Sequence, residues 1–241
     1  MIPPVTAKGM YEYIPSNKQL IHLNRLRTGN VFANGLSVMD LMEDSKKNVW
    51  IGTWGNGYYR LSLSTNRFFS YPQLNARNSA FSIFEDSKHR IWIGSWGCGL
   101  FLLQNPYDSQ KTKSINFSAT GTSDAICSNS IYDIGEDKNN HEVWLATRNG
   151  LSVIHEVGKK FYFQNYSPNN TATSISYNDI STILCDGEGM MWLGTQGGGI
   201  NTTVTQTSPF AYHKIETEKS SFSSIRCLFV DKKGIIWMGL S

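Results

Sequence analysis

The sequence lacks an excess of charge of either sign. Among its 241 residues, 22 Lys and Arg stand against 19 Asp and Glu, which gives a formal net charge of +3, and charged residues make up only 17% of the chain. This balance excludes a strongly basic arm and an acidic tail, so we expect no nucleic-acid partner. Long hydrophobic runs are also missing, because none approaches the roughly 18 to 20 apolar residues of a membrane helix. We therefore expect no membrane span in this chain.

The sequence also lacks the motifs of common enzymes and metal sites. It contains neither H-E-x-x-H nor G-x-S-x-G, and its five histidines share no spacing. Its four cysteines are far apart and never form C-x-x-C, which argues against a zinc site or a redox dithiol. No apolar signal-peptide core is present near the N-terminus, where Pro3 and Pro4 interrupt the chain. We expect no enzymatic activity, no metal and no cofactor.

Aromatic residues and glycine, in contrast, are abundant. Aromatic residues make up 12% of the chain, which contains seven Trp and 21 Gly, and the hydrophobic fraction of 40% is enough for a sizeable core. Many aromatic side chains with many glycines favour an all-β protein with tight turns.

A repeated pattern decides the fold. An apolar residue, a Trp, a second apolar residue and a small residue recur 42 to 52 positions apart. The five tryptophans are Trp50, Trp92, Trp144, Trp192 and Trp237. An aspartate precedes each by six or seven residues: Asp44, Asp86, Asp137, Asp186 and Asp231. Five copies in register indicate a repeat protein.

Each copy is typical of four short strands. The first strand ends at the aspartate, and the second carries the Trp within consecutive apolar residues, which indicates burial on both faces. The small residue two places after the Trp allows a neighbouring backbone to approach closely. Four-stranded units at this period are typical of propeller blades. We predict an all-β fold, a β-propeller made of four-stranded antiparallel blades, with about five repeat units.

The units divide residues 1–241 into one propeller segment. Full blades are predicted at 34–71, 78–118, 129–166 and 178–215, with outer strands of a split blade at 1–23 and inner strands at 223–241. Residues 9–23 align without gaps on residues 57–71, which supports the split. Either the two ends close a five-bladed ring or the chain is an open part of a larger propeller. We favour the open part, because the chain stops one residue into a loop.

The repeat resembles the two-component regulator propeller repeat. The closest copies run from Ser128 to Leu151 and from Asn178 to Ile200, and the resemblance covers nearly the whole chain. It departs from the family pattern at a few positions: Ala146 replaces Gly, Cys185 and Val230 replace Glu, and Leu36 and Ser223 replace Asn.

The resemblance implies a role as well as a fold. Proteins of this family are similar to the extracytoplasmic sensor regions of bacterial hybrid histidine kinases of the Bacteroidetes type, whose stimuli are oligosaccharides. It therefore implies a periplasmic location, an oligosaccharide or other small ligand, and neighbouring sensor and kinase modules as partners. Those modules are absent from these 241 residues.

One position in the strict repeat varies, four residues after the Trp. It holds Trp54, Trp96, Arg148, Gln196 and Ser241 in successive units. Equivalent loop positions lie on one face of a propeller, where indoles can stack on sugar rings and polar groups can bind hydroxyls. The first four are candidate ligand-binding residues. The alternative is that the indoles pack on the next blade or plug the channel.

A second candidate layer consists of asparagines two places before the first strand's apolar residue. These are Asn78, Asn129 and Asn178. They are included as ligand-binding candidates, although the alternative is that each caps the turn into the inner strand.

Three functions follow in order of preference. The first is a ligand-sensing propeller segment of a two-component sensor, which detects an oligosaccharide and signals to a kinase module. The second is a structural or protein-interaction propeller that mediates homodimerisation or docking. The third is a propeller lyase or hydrolase, because catalytic residues on propellers come from scattered loops.

Overall fold

The structure is a computed structural model that describes residues 10–22, 36–71, 79–169, 171, 173–204, 210–213 and 224–240. Within these ranges the regular elements are all β-strands. In chain order they are β1 (Tyr11–Ile14), β2 (Gln19–His22), β3 (Val38–Glu43), β4 (Asn48–Thr53), β5 (Tyr58–Ser62), β6 (Arg67–Ser70), β7 (Ala80–Glu85), β8 (Ile91–Ser95), β9 (Leu100–Gln104), β10 (Lys113–Phe117), β11 (Ile131–Asp137), β12 (Glu142–Thr147), β13 (Gly150–Val157), β14 (Lys160–Tyr166), β15 (Ile180–Cys185), β16 (Met190–Thr195), β17 (Ile200–Val204), β18 (Ala211–His213), β19 (Ile225–Val230) and β20 (Ile236–Leu240).

The strands form four four-stranded antiparallel meanders and two hairpins. Blade 1 is β3–β6, blade 2 is β7–β10, blade 3 is β11–β14 and blade 4 is β15–β18. Strands β1 and β2 form an N-terminal hairpin, and β19 and β20 form a C-terminal hairpin. The first strand of each blade packs against the first strand of the next, from β3 through β7, β11 and β15 to β19. The predicted all-β propeller fold is confirmed.

A hydrogen bond between the repeated Asp and Trp organises the first hairpin of a unit. The Trp indole Nε1 donates to the aspartate Oδ2 at 2.8 Å in blades 1, 2 and 4 and at 3.0 Å in the C-terminal hairpin. The aspartate Oδ1 accepts backbone N–H groups of the turn, as Asp44 does from Lys46 and Asn48. The repeated aspartates are therefore structural.

Blade 3 departs from this arrangement because its turn is one residue longer. Asp137 precedes Trp144 by seven residues rather than six. Both Asp137 Oδ2 and Trp144 Nε1 are buried without a hydrogen-bond partner.

The core lies in the junctions between blades. At the junction of blades 1 and 2, Trp50 packs with Ala80, Ile83 and Ile91 of blade 2. The adjacent Ile51 is also fully buried, on the opposite face of the strand. A Cβ on Gly52 would lie 2.7 Å from the Ala80 carbonyl oxygen, which explains the small residue after the Trp.

The two terminal hairpins do not pair with each other. Strand β20 pairs with β19 alone, and β1 pairs with β2 alone, so no strand closes a ring within the described ranges. Several side chains of the C-terminal hairpin are exposed, with Phe229 at 61% and Trp237 at 58%.

The four cysteines are all free thiols. Cys98, Cys127 and Cys185 are half-buried, and Cys227 is exposed. No helix long and apolar enough to span a membrane occurs in the part of the chain that the structure describes.

Candidate functional site

The loop after the second strand begins in the same way in all four blades. The backbone N–H of its first residue donates to the carbonyl oxygen of the residue that directly precedes the blade's first strand. The four bonds are Trp54 to Ser37 (2.9 Å), Trp96 to Ser79 (3.0 Å), Arg148 to Ser130 (3.1 Å) and Gln196 to Asp179 (2.9 Å). These bonds hold the four variable positions in equivalent places, on what we call the loop face. The fifth, Ser241, lies outside the described residues.

A β-bulge interrupts every first strand at its second residue. The bulged residues are Met39, Phe81, Tyr132, Ser181 and Arg226. At a bulge, two residues oppose one on the partner strand, and the side chain of the extra residue is re-aimed. Two of the bulged residues, Phe81 and Tyr132, contact the loop residues Trp54 and Trp96 on the loop face.

Four aromatic rings form a continuous aromatic row, defined as Trp54, Phe81, Trp96 and Tyr132. Phe81 lies 5.6 Å from Trp54 and 5.3 Å from Trp96, centroid to centroid, and Trp96 lies 5.5 Å from Tyr132. The two indoles are 6.2 Å apart. Trp54 is 44% exposed, and the other three rings are half-buried. The row thus crosses three blades and presents ring surface to solvent.

Charged groups continue the row at the Tyr132 end. The Arg148 guanidinium carbon lies 5.9 Å from the Trp96 ring centre, in cation–π range, and the side chain is exposed. The positive charges of Arg148 and Arg226 act to lower the pKa of Asp179, which directly precedes the first strand of blade 4. We call Arg148, Asp179 and Arg226 the charged end of the row.

The titration of this end follows from its burial and its charges. Burial raises the pKa of Asp179, although the Tyr132 hydroxyl and the two guanidinium groups act in the opposite direction. Burial and then the Asp179 charge raise the pKa of Tyr132 to about 12, so Tyr132 stays a neutral hydroxyl. Asp179 Oδ1 is buried and has no hydrogen-bond partner.

Two carboxylates that follow bulged residues connect neighbouring blades. Asp133 Oδ2 accepts the Ile183 N–H and the Thr182 hydroxyl of blade 4, both at 2.9 Å. Asp40 Oδ2 accepts the Ile83 N–H of blade 2 at 2.7 Å. Burial raises the pKa of Asp133 to about 6. These carboxylates hold the inner strands together.

The asparagine layer is more dispersed than the loop positions. Asn129 Oδ1 accepts the Ala119 N–H at 2.7 Å, and its carbonyl oxygen accepts the N–H groups of Gly97 and Gly99. Asn178 is exposed, and its carbonyl accepts the Gly150 N–H at 2.7 Å. Both backbones therefore tie a blade to the loop of the preceding one. Asn78 lies outside the described residues.

A repeated Ser–Glu–His contact lies at the opposite end of the blades, in the Asp turns. Ser45 of blade 1 donates to Glu85 Oε1 of blade 2 at 2.7 Å and lies 3.1 Å from His89 Nδ1. Ser87, Glu136 and His141 repeat this contact between blades 2 and 3.

The geometry of this contact differs from that of a nucleophilic triad. In a triad, serine and acid occupy opposite nitrogens of the imidazole. Here the serine hydroxyl and the glutamate carboxylate both lie next to Nδ1 of the histidine, and the serine hydroxyl donates its proton to the glutamate. The expectation that the histidines share no spacing was wrong, because His89 and His141 each stand three residues before a repeat Trp. Their shared role is a contact between blades.

The structure brings together more residues than the repeat analysis selected. Trp54, Trp96 and Arg148 lie side by side, and Gln196 takes the equivalent place in blade 4. The bulged residues Phe81, Tyr132 and Arg226 were missed, as was Asp179. A signal for Asp179 existed in the sequence, since the four equivalent positions hold serine: Ser37, Ser79, Ser130 and Ser224.

The fold and the loop face define a β-propeller built from antiparallel four-stranded blades. Residues 33–55, 75–97 and 174–197 match the two component regulator propeller family. Three segments of the chain therefore match two-component regulator propeller repeats, and the resemblance seen in the sequence is confirmed.

Other similarities extend over most of the chain. Histidine kinase P4 of Formosa agariphila is 28% identical over 243 residues, which cover 97% of this chain and 17% of that protein. This chain thus spans about a sixth of the length of that relative.

Solved propellers share the fold at low sequence identity. PorZ, a surface component of the type-IX secretion system of Porphyromonas gingivalis, aligns over 97% of this chain and 35% of its own, with a TM-score of 0.71 and 17% identity. Virginiamycin B lyase of Staphylococcus aureus aligns over 87% and 65%, with a TM-score of 0.65 and 16% identity. At these identities the likeness concerns the fold.

Proposed function

We propose that this chain is a ligand-sensing propeller segment of an extracytoplasmic, periplasmic two-component sensor, and that the aromatic row binds an oligosaccharide. The observation that carries the proposal is the pair of indoles, Trp54 and Trp96, at equivalent loop positions 6.2 Å apart. Aromatic faces bind the apolar C–H surfaces of sugar rings, and nearby polar groups bind hydroxyls. Trp54 is exposed enough to accept such a ring.

The family supports the signalling half of the proposal. The matched repeats belong to a two-component regulator propeller, and a relative along nearly the whole chain is named a histidine kinase. The segment itself performs no chemistry in this scheme. Ligand binding across blades 1 to 3 changes the relative position of those blades, and modules outside this chain receive the change.

A binding experiment with matched tryptophan variants tests the proposal. Isothermal titration of the chain against a panel of oligosaccharides is expected to give saturable heat for at least one ligand. Trp54→Ala is expected to weaken that binding at least about tenfold, because a stacking ring is lost. Trp237→Ala, which removes an indole that is 58% exposed from the C-terminal hairpin, is the matched control and is expected to bind normally. Absence of heat across the panel refutes sugar binding by this segment.

A docking propeller is the second candidate function. The exposed apolar side chains of the C-terminal hairpin, Phe229 and Trp237 among them, favour it, because contiguous apolar surface on a soluble protein marks an interaction site. Sedimentation of the chain over a concentration series measures self-association. A monomer at every concentration, together with sugar binding that needs Trp54, decides for the sensing function.

A further inference from the structure

We infer that the open side of blade 1 binds the C-terminal hairpin of a second copy of this chain. Strand β20 of that copy then pairs with strand β1, and the two hairpins together form a complete four-stranded blade. The contact lies on a different surface from the aromatic row and does not depend on sugar binding. It gives the docking function, the second candidate above, a defined geometry.

The N-terminal hairpin has the register of the two outer strands of a blade. In β1 and β2, Tyr11 lies opposite His22. In β5 and β6 of blade 1, Tyr59 lies opposite Ser70. The gapless alignment of residues 9–23 on residues 57–71 makes these two pairs equivalent. Strands β1 and β2 therefore correspond to the third and fourth strands of a blade that precedes blade 1.

Met10 shows that this hairpin lies at the junction with blade 1. In the repeat it aligns with Tyr58. Tyr58 is buried in a core cluster that contains Ile93 of blade 2, and Met10 is buried in the equivalent cluster, which contains Ile51 of blade 1. The N-terminal hairpin thus covers blade 1 as the outer strands of blade 1 cover blade 2.

The inner part of the same junction is open. The clusters at the next three junctions each contain the repeat Trp of the preceding blade: Trp50, Trp92 and Trp144. Among the residues that the structure describes, the cluster around Met10 contains no Trp. Leu41 on β3 is exposed there, although its equivalent Ile83 is buried at the next junction. The place that a Trp-bearing strand fills elsewhere is therefore accessible beside blade 1.

The C-terminal hairpin is the element that fits this place. Strands β19 and β20 repeat the first hairpin of a blade, with the β-bulge at the same position as in blade 1. Trp237 and Phe229 on this hairpin are exposed. Within the described ranges, β20 pairs only with β19 and β1 pairs only with β2, so each has an unpaired edge. Such edges beside apolar side chains are templates for pairing with another chain.

The repeat fixes the register of the proposed pairing. In blade 1, Val49 of β4 lies opposite Leu61 of β5. Ile236 and Tyr13 hold the equivalent positions of the two terminal hairpins. We therefore expect Ile236 of one copy opposite Tyr13 of the other, with the neighbouring Trp237 in the open part of the junction. A slip by one residue would turn the Trp away, so the apolar pattern selects this register.

One pair of opposite charges supports the same fit. At the junction of blades 1 and 2, Ser45 follows the repeat Asp and bonds to Glu85, which precedes the next repeat Asp. In the proposed contact, these two positions hold Lys232 of the C-terminal hairpin and Glu43 of blade 1, both exposed. Glu43 already pairs with Lys47 at 2.9 Å on the surface, but a carboxylate accepts more than one such bond.

A second copy is the partner because the two terminal hairpins of one chain do not pair with each other. The contact joins two different surfaces, so each copy keeps one free surface of each kind and copies add head to tail. Sedimentation velocity over a concentration series is expected to show dimers and larger species as the concentration rises. At dilutions where the chain is a monomer, Trp237 stays exposed.

Variants of exposed residues test the two surfaces without disturbing the core. Trp237→Ala and Leu41→Lys, one on each surface, are each expected to weaken self-association at least about tenfold. Val157→Lys, which changes an exposed apolar residue of blade 3, is the matched control and is expected to associate normally. Circular dichroism and urea unfolding of the dilute variants check that each chain is folded.

Charge reversal tests the pair of opposite charges. Lys232→Glu alone and Glu43→Lys alone are each expected to weaken association at least about tenfold, because like charges then face each other. The double variant is expected to recover most of the affinity. Failure of the double variant to recover would overturn the assigned contact between these two positions.

A disulfide tests the register and the identity of the partner. In a Cys227→Ser background, a chain with Ile236→Cys is mixed with a chain with Tyr13→Cys and oxidised, and a linked dimer is expected. Glu12→Cys in place of Tyr13→Cys is the control, since adjacent strand residues point to opposite faces and cannot bridge in the same register.

Three results would overturn the inference and leave sugar sensing to its own titration. The first is a monomer at every concentration. The second is self-association that survives both Trp237→Ala and Leu41→Lys. The third is a disulfide that forms within one chain carrying both Ile236→Cys and Tyr13→Cys, but not between mixed chains, which would show that the chain closes on itself.

Discussion

Trp92 in blade 2 and Trp237 in the C-terminal hairpin share a sequence pattern and differ in burial. Each donates its Nε1 to the aspartate six residues earlier, at 2.8 and 3.0 Å. Trp92 is fully buried against Ile131 and Val143 of blade 3, whereas Trp237 is 58% exposed. The hydrogen bond is therefore a property of the hairpin, and the burial is a property of the next blade.

Blade 1 shows that burial also depends on the preceding blade. Leu41 and Ile83 occupy equivalent positions, the fourth residue of β3 and of β7. Ile83 packs in the junction with blade 1 and is 4% exposed, whereas Leu41 is 51% exposed. The apolar pattern of a repeat stabilises the fold only where a neighbouring blade covers it.

Truncation of the two tryptophans provides the largest test of this contrast. Trp92→Ala is expected to lower the free energy of unfolding by about 3 to 5 kcal/mol, because it removes a buried ring and leaves a cavity. Trp237→Ala is expected to cost less than about 1 kcal/mol, although both variants lose the same hydrogen bond. Urea denaturation measures both values. Equal losses would show that the hydrogen bond, and not the blade junction, provides the stability.

The pH dependence of unfolding is expected to differ in sign between a junction and the terminal hairpin. Burial raises the pKa of Asp133 to about 6, above its ordinary value of 3.8. The folded state therefore takes up a proton that the unfolded state does not, as the pH falls from about 6 to about 4. Asp133 thus stabilises the fold on acidification by up to about 3 kcal/mol.

Asp231 in the C-terminal hairpin behaves in the opposite way. Hydrogen bonds from the Trp237 indole and the Ile235 backbone lower its pKa, so its contribution is lost as the pH falls below about 4. Thermal melts from pH 7 to pH 3 follow both effects. Asp133→Asn is expected to remove the rise between pH 6 and pH 4. A rise that persists in this variant would assign it to another group.

Blade 3 offers a third comparison, with a smaller effect. In blade 2, Asp86 Oδ2 accepts both the Trp92 indole and the Arg90 Nε, so Asp86→Asn is expected to cost about 2 kcal/mol. In blade 3, the corresponding Oδ2 of Asp137 has no partner. Asp137→Asn is expected to change stability by less than about 1 kcal/mol. A large loss in Asp137→Asn would show that the longer turn still engages Trp144 in solution.

The sequence predicted features that depend on residues close together in the chain, and it missed features that depend on contacts between blades. The Asp–Trp hairpins were predictable because each depends on two residues only six positions apart. The close approach at Gly52 was predictable because it requires only a small residue at that position. The bulged residues Phe81 and Tyr132 were not, because a bulge breaks the alternation from which the facing of strand residues is inferred. Of the charged end, only Arg148 was predicted. Asp179 and Arg226 were missed because the three residues come from three different units, and no single repeat contains them.

The smallest expected effect concerns two tryptophans of one blade. Trp50 is fully buried at the junction with blade 2, whereas Trp54, four residues later, is 44% exposed and contacts the rings of Phe81 and Trp96. Trp54→Ala is expected to cost about 1 kcal/mol or less, the value of edge contacts between partly exposed rings. Trp50→Ala, measured in the same urea series, is the reference for a buried ring. A loss for Trp54→Ala as large as that for Trp50→Ala would assign Trp54 to the core. A small loss of stability would show that packing does not explain the position of Trp54 on the loop face, and this result would favour a role in ligand binding.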